Sequence, residues 1–156
     1  MDFFEQLDAD LRKGVDRTDA IDELFQQSFL GDAETKEKVS WCTAKMAQNK
    51  VQDMRLVDIM ISLTGNINPQ VRENIAWGIG EIAGAGIGDD RCVNIVTELM
   101  SDPEGNVRAM AAWAAGRLMK KLDIRDETMV EKVRSLLEDS SPFVIKAAQY
   151  ALDIEE

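Results

Sequence analysis

The sequence has no histidine. That removes the Ser-His-Asp triad, the Cys-His nucleophile pair, histidine-bearing zinc sites and the histidine general base. Positive charge is also scarce, with 18 Lys and Arg against 29 Asp and Glu and a net charge of −11. A nucleic-acid binder uses a basic patch to displace counterions, so no nucleic-acid partner is expected. Cysteine is limited to Cys42 and Cys92, which form no CxxC. They read as free thiols of a reducing, cytoplasmic compartment. No apolar run approaches the ~18 residues of a membrane span, and no membrane partner is expected. The start MDFFEQLDADLRK lacks the basic and apolar regions of a secretory signal. What is present, 45% hydrophobic and 30% charged residues over 156 positions, suits one folded domain.

The chain is periodic. Its only tryptophans, Trp41, Trp77 and Trp113, are each 36 residues apart. At that offset Val71-Arg72 falls on Val107-Arg108, Ile75 on Ala111, Gly80 on Gly116 and Ile82 on Leu118. Thr35-Lys36, Val39, Ala44 and Met46 are the first-copy equivalents, and a fourth copy aligns Val144 and Ala148 with Val107 and Ala111, with Tyr150 in the tryptophan's place. Repeats of this length signal stacked supersecondary units. The expected units are 18–48, 51–84, 89–122 and 125–154, preceded by a helix over 2–13, in one domain covering 1–156.

Each unit reads as two helices. Apolar residues at spacings of three and four predict first helices over 19–30, 52–64, 89–100 and 126–138. Second helices are predicted over 33–48, 69–83, 103–122 and 142–154. All three prolines follow a residue suited to an N-cap, in Asn68-Pro69, Asp102-Pro103 and Ser141-Pro142, which places each proline in a first helical turn. Gly14, Gly31 and Gly65 fall where a C′ glycine ends a helix. Asp2 and Glu5 are spaced as a capping box. No segment carries the alternation of a strand.

The runs VRENIAWGIGEI (71–82) and VRAMAAWAAGRL (107–118) resemble the second helix of HEAT-like repeats, in particular the subtype of phycobilisome-lyase proteins. The resemblance implies an all-α, right-handed α-solenoid (an α-α superhelix) of about four HEAT-like hairpins plus an N-terminal capping helix. It also implies a binding scaffold more readily than an enzyme. In that family the arginine bridges to an acidic or polar residue near the inter-helix turn. This assigns Arg72 and Arg108 an inter-repeat structural role, with Asn66, Asp102 and Asp139 available as partners; anion binding is the alternative. The histidine-glutamate iron ligands of the deoxyhypusine-hydroxylase branch are missing here.

On a wheel at about 100° per residue, Val71, Ile75, Gly78, Ile79 and Ile82 form one stripe, the core face. Trp77 lies about 140° away. Trp41, Trp77, Trp113 and Tyr150 therefore form an expected aromatic ladder on the second-helix, concave face. Each ring anchors a partner, wedges between adjacent helices, or does both with one edge left open, and Gly80 and Gly116 leave room for a ring or a close neighbour. Glu73, Glu81 and Arg117 flank the ladder, one turn before or after a tryptophan. The string GxGxxA at Gly78, Gly80 and Ala83 sits inside an amphipathic helix and is no dinucleotide fingerprint. Residues 84–88 read as a flexible loop. Ten carboxylates within 1–34 make the N-terminal end acidic. The expected function is a non-enzymatic protein-protein scaffold or adaptor binding another protein on the concave face, with no catalytic residues, metal or cofactor. The alternative is a small lyase or carrier for a tetrapyrrole-like chromophore.

Overall fold

In a computed structural model, which describes residues 1–154, the described residues form nine α-helices and no strand. Positions 155 and 156 of the expected domain lie outside the described residues. The helices are α1 (Phe3–Arg12), α2 (Ile21–Leu30), α3 (Ala33–Gln48), α4 (Arg55–Leu63), α5 (Pro69–Gly84), α6 (Asp90–Leu99), α7 (Gly105–Leu122), α8 (Glu127–Ser135) and α9 (Pro142–Leu152). Short 3-10 turns at Thr18–Ala20 and Leu136–Glu138 open α2 and close α8.

Local chemistry sets the boundaries. Carboxylates or amides of Asp2, Asp32, Asn68, Asp89 and Asp126 accept backbone N–H bonds at the starts of α1, α3, α5, α6 and α8. Left-handed Asp123 and Asp153 close α7 and α9, so α9 ends before the expected residue 154. Gly14 and Gly65 have φ of 74° and 85°, the left-handed backbone that favours glycine. Gly31 does not share it. Its φ is −70°, and a Cβ there would meet the Gln27 carbonyl and the Thr35 side chain at 2.7 Å, so space is what it supplies.

Several expected starts move. α7 begins at Gly105 rather than at Pro103, because Asp102 is committed elsewhere: it accepts the Glu104 N–H and pairs with Arg72. α4 begins at Arg55 rather than 52, after a turn in which Asp53 accepts the Arg55 N–H. Gly84, expected in a loop, is the last residue of α5, and the connection shrinks to 85–89.

The helices make two layers. α2, α4, α6 and α8 form one, and α3, α5, α7 and α9 form the other, with α1 packed on α3. One continuous core lies between them, including Leu24, Val39, Leu56, Ile59, Val71, Ile75, Ile79, Val96, Val107, Ala111, Val133 and Val144. Within each layer neighbours touch, but far more closely along α3, α5, α7 and α9. Buried small residues permit that approach: Ala44, Ala76, Gly80, Ala112, Gly116 and Ala148. The second helices thus form the more closely packed layer.

Candidate functional site: an aromatic ladder on the second helices

The core stripe of each second helix fixes where the opposite residues go. Trp41, Trp77 and Trp113 come out half-buried on α3, α5 and α7, and Tyr150 is 38% exposed on α9. The rings also reach between helices. Trp113 lies against Gly80 of the preceding second helix, and Tyr150 lies against Gly116, so tightly that a Cβ at either glycine would collide with the ring. Trp113 and Tyr150 thus wedge between adjacent second helices. Among the described residues, no indole N–H has a hydrogen-bond partner and no buried side-chain nitrogen lacks one. The three indole nitrogens are therefore not fully buried, while the Trp41 and Trp113 rings also rest on the core.

Cations cover most of the rungs. The Arg12 guanidinium sits 4.5 Å from the centre of the Trp41 ring, Arg117 sits 5.2 Å from Trp113, and Lys120 sits 4.7 Å from Tyr150. Such contacts attract through the ring quadrupole. Arg12 is held in place by Asp8, one turn earlier, and Lys120 by Asp153. Arg117 donates to the Gly80 carbonyl at 3.2 Å and approaches Glu81 at 3.7 Å. Glu81 and Arg117 are thus spent partly on each other across the repeat junction. Among the described residues, no cation covers Trp77.

A polar seam runs beside the first rungs. Buried Asn74 donates to Ser40 Oγ at 3.0 Å and accepts from Gln70 at 3.1 Å, and Asn68 donates to Glu37 at 2.9 Å. A cavity of about 340 Å³ opens here between α1, α3 and α5, lined by Phe4, Asp8, Arg12, Glu37, Trp41 and Asn74.

Two braces hold the ladder's spacing. Arg72 Nε donates to Asp102 at 2.6 Å while its Nη1 donates to the Asn66 and Ile67 carbonyls. Arg108 repeats the geometry with Asp139 at 2.9 Å and the Asp102 and Pro103 carbonyls. Each arginine closes its own inter-helix turn and grips a carboxylate of the next. Burial pushes the Asp102 carboxyl up, but hydrogen bonds from Arg72 and the Glu104 N–H, with the charges of Arg72 and Arg108, outweigh it and hold the group below the usual carboxylate range. Asp139 is lowered chiefly by its hydrogen bond from Arg108.

A second set of arginines, not singled out in the sequence, links the outer layer. Arg55 joins Asp53 and Asp22, and Arg91 joins Asp89 and Asp58. All three positions recur at 36, which was the signal available. Cys42 and Cys92 are buried. Burial pushes the Cys42 thiol up to about 12, helped by the Asp8 charge and opposed by Arg12, and it raises Cys92 as well. Among the described residues, no cluster of three or more histidine, cysteine or acidic side chains could hold a metal, and no helix is long and apolar enough to cross a membrane.

The model of the family described as HEAT repeats matches residues 57–153. It does not single out the phycobilisome-lyase subtype. No curated protein matches the sequence. Among solved structures, a designed armadillo repeat protein in complex with the peptide (KR)4 is similar with a TM-score of 0.65 at 18% identity, over 97% of this chain and 68% of that one. An engineered protein from the Northeast Structural Genomics Consortium is similar with a TM-score of 0.68 at 18% identity, over 96% of this chain and 71% of that one. At such identity the likeness shows the fold, an all-α repeat solenoid.

Proposed function

Since the chain belongs to the HEAT-repeat family, a fold typical of interaction scaffolds, we propose that it is a non-enzymatic module that seats an extended segment of another protein along its concave second-helix face. The observation that carries this reading is the row of half-buried tryptophans on α3, α5 and α7, whose indole N–H groups have no hydrogen-bond partner among the described residues while Trp113 is held against Gly80. A held aromatic ring offers contact area at little entropic cost, and its free N–H can bond a partner's backbone carbonyl. Glu73 and Gln70 lie exposed or half-exposed beside the same seam and add polar groups for side-chain selection. The similar designed armadillo protein, solved with a peptide, supports a peptide-like segment as the kind of partner.

The chromophore alternative is weaker. Covalent attachment needs a reactive thiolate, and both thiols here are buried with raised pKa. The test is selection from a random peptide display library on the wild type. Selected peptides should bind a concave variant, Trp77→Leu/Trp113→Leu, at least tenfold more weakly. They should bind a convex variant, Phe25→Ser/Phe29→Ser, as they bind the wild type. Equal binding to the wild type and the concave variant would place the site elsewhere.

A further inference from the structure

We infer that the Trp77 rung is a receptor for one cationic side chain, an arginine or lysine carried by the partner segment. The inference rests on the concave-face reading above and adds the chemistry of the occupant. Three of the four rungs already hold a cation of this chain: Arg12 on Trp41, Arg117 on Trp113 and Lys120 on Tyr150. Two of these come from the preceding helix of the inner face, Arg12 from α1 and Lys120 from α7. The residue equivalent to Lys120 on α3, the helix before Trp77, is Gln48, which is neutral and accepts from Lys45 at 2.6 Å. The residue equivalent to Arg117 on Trp77's own helix is Glu81, a carboxylate. Both positions that cover a ring elsewhere are thus without a cation here.

The surroundings carry the complementary charge. Glu73 and Glu81 flank Trp77, one turn before and one turn after. Glu81 shares Arg117 at 3.7 Å, whereas among the described residues Glu73 accepts only from the neutral Gln70 amide, at 3.3 Å. A ring face with a carboxylate beside it favours a cation through both quadrupole and charge. Trp77 is also the tryptophan of the three that does not pack on the core. Beyond it, Trp41 is covered by Arg12 from α1, so among the described residues Trp77 is a rung without a cation between two that carry one.

The experiment follows the three indole N–H signals by heteronuclear NMR, each assigned from its single Trp→Phe variant. The intact chain is titrated at physiological ionic strength with the peptide (KR)4 and with a neutral (QS)4 peptide. The Trp77 signal should move saturably with (KR)4, well beyond those of Trp41 and Trp113, and not with (QS)4. Glu73→Gln, an exposed-side change that leaves the core untouched, should weaken that titration about three- to tenfold. A Trp77 signal that stays still while (KR)4 binds, or three signals that move alike and ignore Glu73→Gln, would overturn the inference. Equal movement with (QS)4 would leave the concave-face reading standing and remove its preference for a cation. Silence with both peptides would overturn this inference alone, because the library selection tests that reading independently.

Discussion

Removing Arg72 should destabilise the solenoid severely. Its side chain is 13% exposed and that of Asp102 only 5%, so solvent screening discounts the pair little. Arg72→Ala strips two charge-assisted bonds, at 2.6 and 3.1 Å, from the Asp102 carboxylate and leaves it with the Glu104 N–H. It also frees the Asn66 and Ile67 carbonyls, though these can turn to water. Breaking a buried pair from one side costs about 3–5 kcal/mol. For a chain of this size that corresponds to a Tm lower by about 6 to 20 °C. Arg72→Ala/Asp102→Asn removes both charges while keeping the turn's acceptor, and should recover more than half of the loss. The assay is calorimetry of the four proteins of the cycle, with urea unfolding for the free energies. A Tm drop below about 2 °C, or strict additivity between the two positions, would refute the brace as an energetic element.

Other consequences are quicker to check. Asp102 and Asp139 are lowered in the folded chain, so their contribution is whole above the unfolded carboxylate value of about 4 and is lost as pH falls through the folded values. The stability gap between wild type and Arg72→Ala/Arg108→Ala should therefore close in acid, read from urea midpoints between neutral pH and about 2. Gly80→Ala drives a Cβ into the Trp113 ring and should cost about 1–3 kcal/mol. Trp113→Leu in the same chain should relieve most of it. Val107→Asp buries an unpaired charge in the centre of the core and should abolish the cooperative melt. Cys42 and Cys92, buried with raised pKa, should react with a thiol reagent at pH 8 only once denaturant opens the fold.

The architecture was legible because it is written in repeats. A tryptophan every 36 residues and one apolar stripe per helix fix the register, and α3 spans 33–48 as its pattern indicates. What stayed hidden depends on contacts between distant residues. Asp102 looks like an N-cap because Pro103 follows it, yet Arg72, 30 positions earlier, claims its carboxylate. Gly31 looks like a C′ residue in sequence, but only the nearby Thr35 side chain shows that it supplies room. The cations on the rings were the larger omission. Arg12 reaches Trp41 from α1, and Lys120 reaches Tyr150 from α7. Arg12 and Lys120 fall in one column at the 36-residue period, but each covers a ring on the next inner helix, so overlaying the chain on itself does not bring the partners together.

The central claim is that another protein's segment lies against the concave second-helix face. Site-specific photo-crosslinking tests it most directly. A photoreactive amino acid replaces Gln70, exposed beside the Trp41–Asn74 seam, or Ile61, exposed on the outer layer. Each chain is then irradiated in lysate of its own source. The account predicts a discrete adduct from position 70 that Trp77→Leu/Trp113→Leu removes, with none from position 61. The same adduct formed from position 61, and absent at 70, would contradict it.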